Sequence, residues 1–600
     1  MYRFVIHSEV HNIMNYNLYQ AAEQDLKNKS TILVLKKLFA FISNEHRNFY
    51  VAVVAILINS ILSLIGPFML GYAVDNYVKV GDYPGILMFS GILVCLYVTA
   101  FFSNLIQMRL MGSIGQRMLY GLRNALFTKL QDLPVDFFNQ NKAGDLISRI
   151  NNDTDKVNQF FSQSLMQFIG SIFTMVGSAI FLLSLDLPLG TAVLIPALLV
   201  IIITRILSPW IKRLNAANLK STGSLSSEIQ ESLNNFKVII AFNRRDYFRK
   251  RFEEVNNDNY KTAVKAGIAN NIFQSIYGLA ANIGQLIVLV LGIYLISTGH
   301  FSLGLLISFL SYVMNFYHPL RQLAALWASF QLALAAWDRI SNILTMENNL
   351  KIIIPQQYDK TASFVSLRDV SFSYPNGTEV LHHVNINLER GKTYAFVGPT
   401  GGGKTTTASL LSRLYDSTKG SIILDGKDIR SYTPEERSVK IGFILQDPFL
   451  FTGTVKDNII YGNSKYLKSG NGNLSDDIRN SGLETLLERF DNGLETQVQT
   501  TGDGISLGQK QLIAFMRAVL RKPELLILDE ATANIDTITE HLLDNIIKKL
   551  PESTTRVIIA HRLNTIENAD EIFFVNSGEV IPAGSLQHAV DMLLHGKRES

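Results

Sequence analysis

"YAFVGPTGGGKTTTASLL", residues 394–411, decides how this chain is read. An apolar strand, a glycine-rich turn and a helix follow one another. The pattern G-x-x-x-x-G-K-T fits from Gly398 to Thr405. A loop of Gly398, Pro399, Thr400, Gly401, Gly402 and Gly403 can bring backbone N–H groups around phosphate oxygens. Lys404 would then reach the β- and γ-phosphates and the Thr405 hydroxyl would coordinate Mg²⁺. Thr406 is counted with the nucleotide-binding residues, and the N-terminus of the following helix adds its dipole. A strand before and a helix after make this a P-loop in an α/β domain.

In a second stretch, "ELLILDEATANIDT" (524–537), Asp529 lies 125 residues downstream of the P-loop lysine. Its apolar run suits a parallel strand buried on both faces and ending at the nucleotide. Asp529 would hold Mg²⁺ through water, and Glu530 would polarise the attacking water as general base. An apolar strand ending in two acids is commonplace by itself. After a P-loop it points to nucleotide hydrolysis.

Upstream the composition changes. The 600-residue chain is too long for one core. It has 18% charged residues and mean hydropathy +0.17. Residues 50–335 are mostly apolar, whereas 360–600 read as a soluble α/β domain. Six segments reach the roughly 20 apolar residues that a membrane span needs: about 49–74, 85–110, 164–185, 189–208, 272–298 and 302–325. "SLDLPLG" (184–190) marks a tight turn between the third and fourth. Lys and Arg gather in loops 111–163 and 209–271, which places both loops and both termini in the cytosol. Loops of that length call for helical structure, so the spans are expected to continue as helices and to turn within 136–157 and 226–252. Residues 30–42 are amphipathic and suit the inner leaflet. Residues 1–29 read as a polar extension without a cleavable signal. The single cysteine, Cys95, excludes an intrachain disulfide. A net charge of +4 gives no case for nucleic acid.

With these residues in view, the chain resembles a half-size exporter of the ATP-binding cassette (ABC) family. The resemblance runs from about residue 30 onward. It implies a transmembrane domain over 30–338, a linker over 339–362, a nucleotide-binding domain over 363–592 and a tail over 593–600. It assigns Tyr374 to stacking on adenine, Gln446 to sensing Mg²⁺ and touching the membrane domain, and His561 to contacting the γ-phosphate. ATP and Mg²⁺ are the implied ligands, with Thr405, Gln446 and Asp529 around the ion. The patches 136–157 and 226–252 resemble coupling helices, with Glu231, Lys237 and Phe242 at matching places.

In that family two cassettes close face to face, and each ATP touches the P-loop of one and the signature of the other. The signature here, "ISLGQ" (505–509), keeps Ser506, Gly508 and Gln509 but carries Leu507 where Gly is common. Thr500 stands where a Glu is usual. Asn534 departs from the usual loop that ends in Asp536. These departures, beside a complete P-loop face, resemble one half of a bacterial heterodimeric multidrug exporter. They favour a different chain as partner over a second copy of this one. The expected cargo is amphipathic. Drugs, lipids and peptides all remain open. A homodimeric lipid flippase and an ATP-gated regulatory module stand as alternatives. A peptide exporter would need an N-terminal catalytic Cys, which Cys95 does not supply. No acid stands in mid-span, whereas Asn59, Asn104, Gln107, Asn282, Gln285 and Asn315 do; such groups face the bundle interior or bond helix to helix. The His318–Pro319 pair marks a kink.

Overall fold

The computed structural model describes residues 16–18 and 45–595, apart from 355–357, 360, 376, 378, 464, 467–473, 500–504, 530–536 and 560–568. The amphipathic stretch 30–42 lies outside the described residues. The chain forms two compact units. One comprises 18–131 with 143–345; the other joins 1–17, 132–142 and 346–600.

Among its described residues, the first unit carries six helices long and apolar enough to cross a membrane. Three of them, Tyr83–Asp132, Leu187–Asn234 and Arg245–Ser297, run for 50, 48 and 53 residues. A 50-residue helix is about 75 Å long, against a hydrocarbon core of about 30 Å. The excess is the helical extension expected for loops 111–163 and 209–271. The fourth helix starts where the sequence dictates. Asp186 is extended and its carboxylate accepts from the Leu189 N–H at 2.8 Å, with Pro188 in the first turn. The last helix, Leu303–Thr345, continues through Pro319.

Helices in lipid gain nothing from burying apolar surface against each other, so close backbone approach and polar contacts hold them together. The helix His46–Ala73 packs against Leu303–Thr345 at Gly71 and Gly304; a Cβ on either would overlap the other's carbonyl. Tyr312 donates to the Leu64 carbonyl at 2.6 Å, and Tyr317 to Val193 at 2.8 Å. Arg339 grips the buried Asp153 with two bonds of 2.7 Å. The turn expected within 226–252 is the short helix Phe236–Ala241, closed by Asn243 at φ 51°.

The second unit holds twelve strands among the described residues: β1 Val365–Ser373, β2 Glu379–Leu388, β3 Thr393–Val397, β4 Lys419–Leu424, β5 Lys427–Asp428, β6 Ile441–Ile444, β7 Gly453–Thr454, β8 Gln497–Val498, β9 Leu525–Asp529, β10 Thr555–Ile559, β11 Glu571–Asn576 and β12 Glu579–Pro582. One sheet runs β2-β1-β4-β5 and is antiparallel. The main sheet runs β12-β11-β3-β10-β9-β6, parallel except for β12. Side chains alternate across it. Tyr394, Phe396, Leu525 and Ile527 enter one core, and Ala395, Val397, Leu526 and Leu528 the other. Both faces are covered, so these strands read as unbroken apolar runs. At the edge away from the strand tips, Lys440 and Arg390 each bridge Asp425 and Glu524.

Candidate nucleotide-binding site

The parallel strands bring their C-terminal ends side by side, the usual place for a ligand in such sheets. In the order β6, β9, β10, β3, the described residues at or just past the strand ends are Gln446, Asp529, Ile559 and the P-loop. Positions far apart in sequence thus share one edge because four strands end together. Ile559 of β10 pairs with Asp529 of β9 and with Phe396 of β3, which fixes the level at which each strand stops.

The P-loop turns on glycine. Gly398 sits at φ +153° and Gly403 at +116°, both conformations that side chains disfavour. A Cβ on Gly398 would overlap the Val575 carbonyl of β11. The helix Lys404–Leu411 begins directly after the loop. Lys404 is only 5% exposed, and its Nζ donates to the carbonyls of Gly398 at 2.8 Å and Pro399 at 2.9 Å. Those two loop carbonyls hold the ammonium group at the mouth of the loop. Thr405 Oγ1 donates to Asp529 Oδ1 at 3.3 Å, bringing together a hydroxyl and a carboxylate 124 positions apart. Hard oxygen donors of this kind suit Mg²⁺. Gln446 is exposed just beyond β6. Glu530, His561 and Asp536 lie outside the described residues, as do Thr500 and Asn534.

Tyr374 stands beside the P-loop helix, its hydroxyl 3.2 Å from Thr406 Oγ1. Its ring meets that of Tyr415 edge to face at 5.5 Å. Tyr415 in turn accepts a hydrogen bond from Asn139 Nδ2 at 2.6 Å. Asn139 belongs to the short helix Val135–Gln140 in the first of the two expected coupling patches. Burial pushes the Tyr415 phenol above its usual range and likewise raises the carboxyl of Asp136 on that helix, despite the hydrogen bond from Gln140. Sequence reasoning passed over Tyr415. "RLYDSTKG" carries no spacing that ties an aromatic to residue 139.

The signature forms the N-terminus of the helix Leu507–Val519. Ser506 and Gln509 close a capping box: Ser506 Oγ accepts from the Gln509 N–H at 3.2 Å, and Gln509 Oε1 from the Ser506 N–H at 2.9 Å. Gln509 Nε2 donates to the Arg489 carbonyl at 2.7 Å. Leu507 is 43% exposed at this helix start, beside Gly508. Tyr16, from the stretch read as a polar extension, is 2% exposed. Its ring packs edge-on against Phe137, and its hydroxyl donates to the Glu347 carbonyl and accepts from the Asn349 N–H.

Comparison with known proteins agrees with this arrangement. Residues 49–320 match the family model for the ABC transporter transmembrane region, and 381–533 match that for ABC transporters. An uncharacterized ABC transporter ATP-binding protein, YfiC, of Bacillus subtilis is 33% identical over 94% of this chain and 93% of its own length. A fatty acid ABC transporter ATP-binding/permease protein of Mycobacterium bovis is 33% identical over 84% and 79%. A multidrug resistance ABC transporter ATP-binding and permease protein of Lactococcus lactis subsp. cremoris is 29% identical over 93% of each.

Proposed function

This chain belongs to the ABC transporters, as a half-size, multi-pass membrane exporter with a cytosolic ATPase domain, and from that premise we propose that it is the hydrolysing half of a heterodimeric exporter of amphipathic compounds. In this reading ATP binds against the loop 398–403, with Lys404 on its terminal phosphates and Tyr374 against the adenine. Mg²⁺, when bound by Thr405, Asp529 and Gln446, neutralises charge on the phosphates. Glu530 takes a proton from water as its oxygen attacks the γ-phosphorus. The bond to the ADP oxygen breaks, and phosphate and ADP leave. His561 contacts the γ-phosphate and reports its departure.

One observation carries the choice of partner. Leu507 places an isobutyl group in the open at the signature's helix start, where a second chain's ATP would be held. A bulky apolar group there weakens an anion site built on a helix N-terminus. This chain's signature therefore completes the slower of two sites, and the partner's signature completes the site at Glu530. The exposed apolar side chains of Phe236, Val238, Ile240 and Phe242 support a second chain as well, since a coupling helix needs a surface to press on.

The test is hydrolysis by purified chains. This chain alone should turn over ATP slowly, and co-purification with its partner half should raise turnover at least about tenfold. Glu530→Gln should then lower it by about 10²–10⁴, the range for a general base. Full activity of the chain alone would refute the heterodimer. Normal turnover by Glu530→Gln would refute the assigned base.

A further inference from the structure

An open cavity of about 530 Å³ lies among four of the spans within the membrane unit. Its walls come from the helices His46–Ala73, Tyr83–Asp132, Leu165–Leu185 and Leu303–Thr345, with the turn before the third. The chemistry of the wall is unusual for lipid depth. Seven of the eighteen lining residues are Asn or Gln and five are Ser or Thr. None is Asp, Glu, Lys or Arg, and none is Phe, Tyr or Trp. Asn59, Asn104, Gln107, Gln163 and Gln167 supply both donors and acceptors, while Asn315 Nδ2 already donates to the Ser63 carbonyl at 3.4 Å. The arginines nearest in sequence, Arg109 and Arg321, do not line it.

Two observations separate this from ordinary bonding between helices. Tyr312 and Tyr317, the buried tyrosines of Leu303–Thr345, spend their hydroxyls on carbonyls of neighbouring helices and do not line the cavity. Gln107 is 9% exposed and lines it, yet among the described residues its Oε1 has no hydrogen-bond partner. A buried carbonyl oxygen without a donor is costly, more so where water is scarce. Such an atom is satisfied by a ligand that donates to it.

We propose that this wall selects cargo whose polar head is uncharged and rich in hydrogen-bonding groups, carried on an apolar tail. A carboxamide lacks the full charge that offsets the cost of stripping water from a cation or a carboxylate. It can donate to and accept from hydroxyls or amides equally. Cationic drugs find no acid in the wall, and fatty-acid anions find no base other than His318. The inference rests on the export reading above and names its substrate class.

The test uses the complete transporter, paired with its partner half, in nanodiscs of zwitterionic lipid. Four probes of matched tail length are compared for stimulation of ATP hydrolysis and, in proteoliposomes, for movement: an alkyl glucoside, a neutral acyl-peptide amide, an alkyl trimethylammonium and a fatty acid. The neutral probes should stimulate at least about fivefold more than either charged one. The glucoside and peptide arms distinguish a sugar head from an amide head, and success of either supports the proposal. Gln107→Glu should lower the neutral response and raise the cationic one severalfold. Gln163→Glu, at an exposed cavity position, tests the same swap should the buried change prevent folding. Equal or stronger stimulation by a charged probe would overturn the substrate class while leaving export intact. Absence of stimulation and movement with all four would overturn the export reading and the substrate class with it.

Discussion

At the scale of the residue, the site depends on atoms that are missing as much as on those present. Gly398 is the clearest case, because its φ of +153° and the nearby Val575 carbonyl leave no room for a Cβ. Gly398→Ala should therefore deform the loop. Nucleotide affinity should drop at least about tenfold, equivalent to ~1.4 kcal/mol, in titration with a fluorescent ATP analogue. The sequence singled out this glycine through its pattern. It could not show that the obstacle is a carbonyl 177 positions away. Lys404 and Thr405 were legible for the same reason, since a P-loop is a local motif whose geometry follows from one short stretch. Tyr415 and Asn139 were not, because their contact depends on which distant segments the fold sets together.

At the scale of the element, the strands of the main sheet announce themselves as apolar runs, while the ion network at their far edge does not. Burial by itself would raise the Glu524 and Asp425 carboxyls, but Lys440 and Arg390 more than offset it and hold both below their ordinary values. Lys440 is held above its ordinary value by the same pairing, again against the effect of burial. A lowered carboxylate stabilises the fold above its unfolded value, about 4, and that stability goes as pH falls through the lowered folded value. A raised lysine stabilises below about 10.4 and loses that as pH rises through its folded value. The network thus contributes fully between about pH 5 and pH 9. Lys440→Met should lower the thermal midpoint by about 2–4 °C in that window, as expected for ~1 kcal/mol from a partly exposed network. The deficit should shrink below about pH 4. A deficit that grew towards low pH would contradict the assignment. Ser506→Ala removes the reciprocal cap of the signature helix and should cost about 1 kcal/mol in denaturant unfolding.

At the scale of the whole molecule, an exporter must make hydrolysis depend on cargo. The contact series Thr406–Tyr374–Tyr415–Asn139 links the P-loop helix to the helix Val135–Gln140 within one compact unit. Tyr415→Phe keeps the ring against Tyr374 but removes the acceptor for Asn139. It should cost about 1 kcal/mol of stability and reduce cargo stimulation of hydrolysis severalfold, measured as the ratio of stimulated to unstimulated rates. An unchanged ratio would remove Tyr415 from coupling. Six spans, their long helical extensions and the α/β nucleotide domain were determined by the sequence alone, because hydropathy, helix length and the P-loop are properties of contiguous residues. Only the tertiary structure decided which of the intramembrane amides gather around one cavity. Asn59, Asn104, Gln107 and Asn315 line it, and Asn282 and Gln285 do not. Only the tertiary structure put Asp529 against Thr405 and Tyr16 against Phe137. The physical reason is common to all three: a side chain's type is set by the chain, but its neighbours are set by how helices and strands from distant segments pack.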